Sequence, residues 1–125
     1  MKDDPEDRRD ATRPISWIKA AKKDFSKFPE RVQTRMLTAL EIAASGQTAD
    51  IAKPMKGLGA GVFEIALEHK TDAYRSVYAV KLDDDIWVVH AFQKKSSQGV
   101  KTPKAEIEKI KARIKTLKEM LADDG

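Results

Sequence analysis

Residues 62–94 carry three β-type runs in succession, separated by two short polar breaks, and this block constrains the fold more than any other feature of the chain. In residues 62–68 the large apolar side chains of Phe63, Ile65 and Leu67 alternate with Glu64, Ala66 and Glu68. That is the period-two signature of a strand buried on one face and wetted on the other. Residues 73–82 and 86–94 are rich in Val, Ile, Tyr and Trp, with polar turns at 69–72 and around Asp83 to Asp85. Breaks this short join antiparallel neighbours, so the block predicts a meander of two hairpins.

The flanking segments supply the cover such a sheet needs. Beyond Pro14, Ile15, Trp17 and Ile18 suit a short strand, and Ala21, Phe25 and Phe28 a brief amphipathic helix. Pro29 restarts the helix, as proline does in a first turn. Val32, Met36, Leu37, Leu40, Ala43 and Ala44 then recur at helical spacing until Gly46. Residues 47–61 read as a loop, glycine-rich at its end. A Pro103 start opens a last helix in which Ile107, Ile110, Ile114, Leu117 and Leu121 step by three and four, a narrow apolar seam coated by lysines. The expected class is α+β: an N-terminal helical hairpin packed on an antiparallel sheet, with a C-terminal amphipathic helix.

Composition narrows the function. With 125 residues the chain suits one core. Residues 1–13 hold nine charges and no large apolar side chain after Met1, so they are expected to be a disordered charged tail ahead of a single domain, residues 14–125. No cysteine and two histidines leave disulfides, thiolate catalysis and most zinc chemistry without ligands. No cofactor or metal is expected. No apolar run approaches the roughly 20 residues that span a bilayer, which with the cysteine count suggests a cytoplasmic protein with no membrane partner. The net charge is +4, yet residues 94–118 alone carry nine basic and two acidic side chains. The basic footprint is therefore local, and suits an anionic partner.

Strand pairing shows which side chains share a face. With Lys70 and Thr71 centred in the first turn, Glu64 lies opposite Val77 and Ala66 opposite Arg75, making Glu64 and Arg75 diagonal neighbours. A two-residue second turn at Asp83–Asp84 sets His90 opposite Val77, with Lys94 further along the same face. The other face then holds Phe63, Ile65, Leu67, Tyr74, Tyr78, Val80, Trp87 and Val89. A longer second loop would flip the last strand. The polar face would thus present a carboxylate, a guanidinium, an imidazole and lysines, beside a loop offering Lys53 and Lys56. A metal-free ribonuclease requires such parts: a base for a ribose 2′-hydroxyl, cations for the phosphate, and an acid for the leaving oxygen. Arginine matches phosphate in a bidentate fork.

Several segments together resemble a known family: Trp17, Phe28-Pro29, Lys53-Pro54-Met55-Lys56-Gly57-Leu58-Gly59, Gly61-Val62-Phe63-Glu64, Tyr74-Arg75, His90-Ala91-Phe92-Gln93-Lys94-Lys95 and Thr102-Pro103. Between about Pro14 and Leu121 the chain resembles the phage-derived branch of the RelE/HigB-like toxins, in the RelE/ParE superfamily of type II toxin–antitoxin modules. The resemblance implies a RelE/ParE-like fold, ribosome-dependent cleavage of messenger RNA, and inhibition by a small helix-turn-helix antitoxin. It assigns Glu64 as the proton acceptor, Arg75 as the phosphate-stabilising group, and Lys53, Lys56, Lys94 and Lys95 as the basic rim that grips RNA. Many relatives carry arginine where this chain has Ala66, and the chain lacks the tyrosine or histidine tail of some relatives. The acid is left open, with His90, a ribosomal base or an ordered water as candidates.

Plainer readings stand beside these. Arg75 alone would be half of a surface ion pair, and His90, between Val89 and Ala91, a structural histidine unless the face assignment holds. Asp83 to Asp85 are turn formers, and Gly57-x-Gly59-x-Gly61 leads into a strand, where a nucleotide-binding fingerprint would leave one. Rival functions are a ParE-like toxin that binds DNA gyrase without cleaving RNA, and a basic nucleic-acid-binding phage accessory protein.

Overall fold

The computed structural model describes residues 12–95 and 101–124. Apart from Thr12 and Arg13, the expected tail lies outside the described residues. In chain order the elements are β1 (Ile15–Trp17), α1 (Lys19–Phe25), α2 (Glu30–Ala44), β2 (Ala52–Pro54), β3 (Val62–His69), β4 (Asp72–Ala79), β5 (Ile86–Lys94) and α3 (Lys104–Asp124). The class is α+β; the short strand read at Ile15 to Ile18 forms as β1 ahead of the helical hairpin, so the hairpin is not the first element, and the sheet has five strands in the order β1-β5-β4-β3-β2.

The sheet is mixed where antiparallel pairing alone was expected. β1 runs parallel to β5, with Ile15 beside Ile86 and Trp17 beside Val88. A parallel pair needs a long crossover, and here everything from α1 to β4 serves as one. β2 lies inside the expected loop and pairs antiparallel with β3, setting Lys53 opposite Glu64. Three residues are too few for a period-two pattern to show, and Pro54, with no N–H to give, is tolerated because β2 is an edge.

The β3–β4 hairpin follows the expected register: Lys70 takes a positive φ of 59° in the turn, Glu64 faces Val77 and Ala66 faces Arg75. The next pair departs from it. Ala79 faces Trp87 and Tyr78 faces Val88, yet Val77 faces His90, so Val89 is the extra residue of a β-bulge. His90 reaches the expected position through this bulge and a wider 80–85 connection, not through a two-residue turn. The bulge also moves Trp87 and Val89 from the hairpin side, where they were expected, to the opposite side.

Two cores flank the sheet. On one side Phe25, Phe28, Val32, Met36 and Leu40 of the hairpin pack on Ile65, Leu67, Tyr74, Tyr78, Ile86 and Val88. Met36 and Leu40 are fully buried, each contributing about 1.5–3 kcal/mol relative to exposure. Gly46 closes α2 at a φ of 95°, its N–H bonding the Ala43 carbonyl while that of Gln47 reaches Ile42, an ending that favours glycine. On the other side Ile110, Ile114 and Leu117 of α3 seal Val62, Val77, Ala79 and Val89. The face expected to be wet is therefore half covered. Its valines and alanines form an apolar patch that α3 removes from water, and its polar half lies beside the start of α3.

Arg13 fastens the chain to the β4–β5 connection. Its guanidinium donates to the carbonyls of Val80 (2.6 Å), Asp83 (3.0 Å), Asp84 (2.8 Å) and Asp85 (3.1 Å). Asp83 in turn accepts from the Asp85 N–H (2.8 Å) and the Trp87 indole (2.9 Å). These aspartates build a turn.

Candidate active site

β3 and β4 bring Glu64 and Arg75 together on one face. The Arg75 Nε lies 3.9 Å from Glu64 Oε1, an ion pair too long for a direct hydrogen bond. The Arg75 side chain is 8% exposed and that of Glu64 17%. Among the described residues the only other polar contact of Arg75 is a long one, from Nη1 to the Tyr74 carbonyl at 3.5 Å, so its five donors are under-used. The second oxygen of Glu64 is taken by Thr102, whose hydroxyl donates to Oε2 at 2.5 Å. In the sequence Thr102 stood out only as part of the Thr102-Pro103 pair, before a helix-starting proline and among the segments of the family resemblance. No local signal ties it to a glutamate 38 residues away.

Glu64 and Arg75 line an open groove of about 460 Å³, floored by Ala66 and rimmed by Lys53, Asp50 and Glu68. Lys53, exposed on the edge strand, sits in register with Glu64. The small Ala66 side chain, directly across from Arg75, leaves the guanidinium a path to the groove. The other expected cations do not line it. Lys56 is exposed in the glycine loop, Lys94 is half-buried at the end of β5 opposite Ala73, and Lys95 is exposed just beyond. Lys94 shares the face of Arg75, two residues along the ladder.

His90 shares that face and is committed elsewhere. Its ring is 2% exposed and lies under α3, with Nε2 2.6 Å from Glu106 Oε1 and Nδ1 2.8 Å from Arg113 Nη1. It stacks on Phe92 with centroids 5.4 Å apart. Burial lowers its pKa below the ordinary histidine value, the Arg113 charge adds to this, and Glu106 opposes it. The structural reading of this histidine is the one its surroundings support, and the groove at Glu64 does not include it. Among the described residues no three His, Asp or Glu side chains are grouped to hold a metal ion, and no helix is long and apolar enough to cross a membrane.

The chemical content of the groove is a carboxylate held by a hydroxyl and a guanidinium, with a lysine across from it. A carboxylate so placed can accept a proton, and the cations can hold an anion whose charge grows.

The profile of the family described as phage derived protein Gp49-like (DUF891) matches residues 23–115. No curated protein sequence matches the chain. Among solved structures it is similar to a free-state mutant of the E. coli toxin RelE, at 18% identity and a TM-score of 0.55 over 84% of this chain and 96% of that one. It is also similar to the isolated E. coli RelE toxin, at 20% identity and a TM-score of 0.51 over 80% and 97%. Identities this low speak to the fold, while the profile spans most of the chain. The chain belongs to the phage-derived Gp49-like family, and its fold is that of the RelE toxins.

Proposed function

We propose that the protein is the toxin of a toxin–antitoxin module and cleaves messenger RNA on the ribosome. The observation that carries this reading is the Glu64–Arg75 pair in an open groove, on a fold shared with the RelE toxins. Glu64 takes the proton of a ribose 2′-hydroxyl and the 2′-oxygen attacks the adjacent phosphorus. The bond to the 5′-oxygen breaks, and that oxygen takes up a proton as it leaves. The products are a 2′,3′-cyclic phosphate and a 5′-hydroxyl. Arg75 offers its unused donors to the phosphoryl oxygens as their charge grows. Lys53 steadies the strand at the groove, and Lys56, Lys94 and Lys95 meet more distant phosphates. His90 has no part in the chemistry. A small antitoxin, bound in the cytoplasm, would hold the activity in check.

The near-complete burial of Arg75 favours one other reading, in which Glu64 and Arg75 are a structural pair and the toxin acts by binding a protein such as gyrase. Inducible expression in a bacterium separates the two. The nuclease reading expects growth arrest with new transcript ends from the wild type, and neither from Glu64→Gln or Arg75→Ala. Arrest with intact transcripts, or arrest that both variants retain, contradicts it.

A further inference from the structure

Glu64 has both carboxylate oxygens spoken for: Oε1 faces Arg75, and Oε2 accepts the Thr102 hydroxyl. We propose that Thr102 is a positioning residue that aims the Glu64 carboxylate into the groove, an inference that rests on Glu64 being the base. A glutamate side chain turns about three torsions, and the exposed Lys53 directly opposite on β2 offers it another partner. A base that swings between two cations presents its lone pair to the substrate only part of the time. Reaction rates are sensitive to such misplacement.

Thr102 suits this role because it lies just two residues ahead of a fixed element, α3. It precedes Pro103, whose carbonyl accepts the N–H groups of Glu106 and Ile107, so the first turn of α3 is closed immediately after it. Glu106 is bonded to the buried ring of His90, Arg113 holds the other ring nitrogen, and Ile110, Ile114 and Leu117 seat the helix on the sheet. Thr102 is half-buried, and its hydroxyl is thus delivered to Glu64 by a helix bolted down at several points. The polar cluster around His90, which does not line the groove, gains a purpose in this arrangement: it fixes where α3 begins.

The plainer role for a threonine before a proline is to cap a helix, and the experiment separates the two. Purified wild type, Thr102→Ser, Thr102→Val and Thr102→Asp are compared for single-turnover cleavage of a message on ribosomes, over a range of protein concentrations, with thermal unfolding alongside. Thr102→Ser keeps the hydroxyl and is expected to cleave like the wild type. Thr102→Val should lower the saturating rate roughly 10- to 100-fold, the worth of one hydrogen bond to a charged group, without moving the half-saturating concentration. Thr102→Asp can also cap a helix but has no proton to give at neutral pH and sets a second carboxylate beside Glu64, so it should lose the rate. Cleavage by Thr102→Val at or above the wild-type rate, or recovery in Thr102→Asp, overturns the proposal and leaves the nuclease reading standing. A wild type that cleaves nothing overturns both.

Discussion

The Arg113 guanidinium points a donor at Nδ1 of His90, 2.8 Å away, while the other ring nitrogen meets the Glu106 carboxylate at 2.6 Å. A guanidinium has no acceptor to offer. Nδ1 must therefore present a lone pair, and the single ring proton sits on Nε2, donated to Glu106. The imidazole is neutral, in keeping with the pKa that burial lowers.

That state has a signed consequence for stability. Below the ordinary histidine value of 6.5 the unfolded chain takes up a proton that the folded ring resists, so stability falls as the pH drops from there toward the folded pKa. Urea unfolding of wild type and His90→Gln between about pH 7 and 5 measures the effect. The wild type is expected to lose more stability than the variant over that range. Parallel losses would mean that the ring is not held neutral.

The seam of α3 yields a second expectation. Ile110 is fully buried against the sheet, whereas Met120, on the same helix, is 58% exposed. Ile110→Ala is expected to cost about 2–5 kcal/mol, from lost transfer energy and the cavity left behind. Met120→Ala should stay within about 0.5 kcal/mol. Equal effects in urea unfolding would show that α3 is not seated through this seam.

Arg13 provides a third. Four carbonyls converge on its guanidinium, and they belong to the connection that precedes the bulged strand. Arg13→Ala is expected to destabilise by about 1–3 kcal/mol, and Arg13→Lys to recover only part of this, because an ammonium cannot reproduce the fork. Full recovery by lysine would show that charge alone matters at this position.

The parts of the fold with a strong local pattern were readable from the sequence, and the parts decided at long range were not. Alternation in residues 62–68 and the Lys70–Thr71 turn set the β3–β4 register correctly, and with it the meeting of Glu64 and Arg75. The bulge escaped because Val88, Val89 and His90 follow one another with no alternation to betray a slip. β1 is a three-residue strand whose partner lies some 70 positions away, and nothing local announces a parallel neighbour. The seam of α3 showed that the helix was amphipathic but not which surface it would cover, so the face bearing His90 seemed open to solvent. Thr102 was missed for the same reason: its importance comes from where α3 docks.

Cleavage by this protein requires Glu64 to take a proton from a ribose 2′-hydroxyl, and the most direct test is the single-turnover rate of message cleavage on ribosomes by Glu64→Gln beside the wild type. The amide keeps the shape of the side chain and cannot act as the base. The rate is expected to fall roughly 10²- to 10⁴-fold with binding to the ribosome preserved. Cleavage by Glu64→Gln at the wild-type rate would contradict the account.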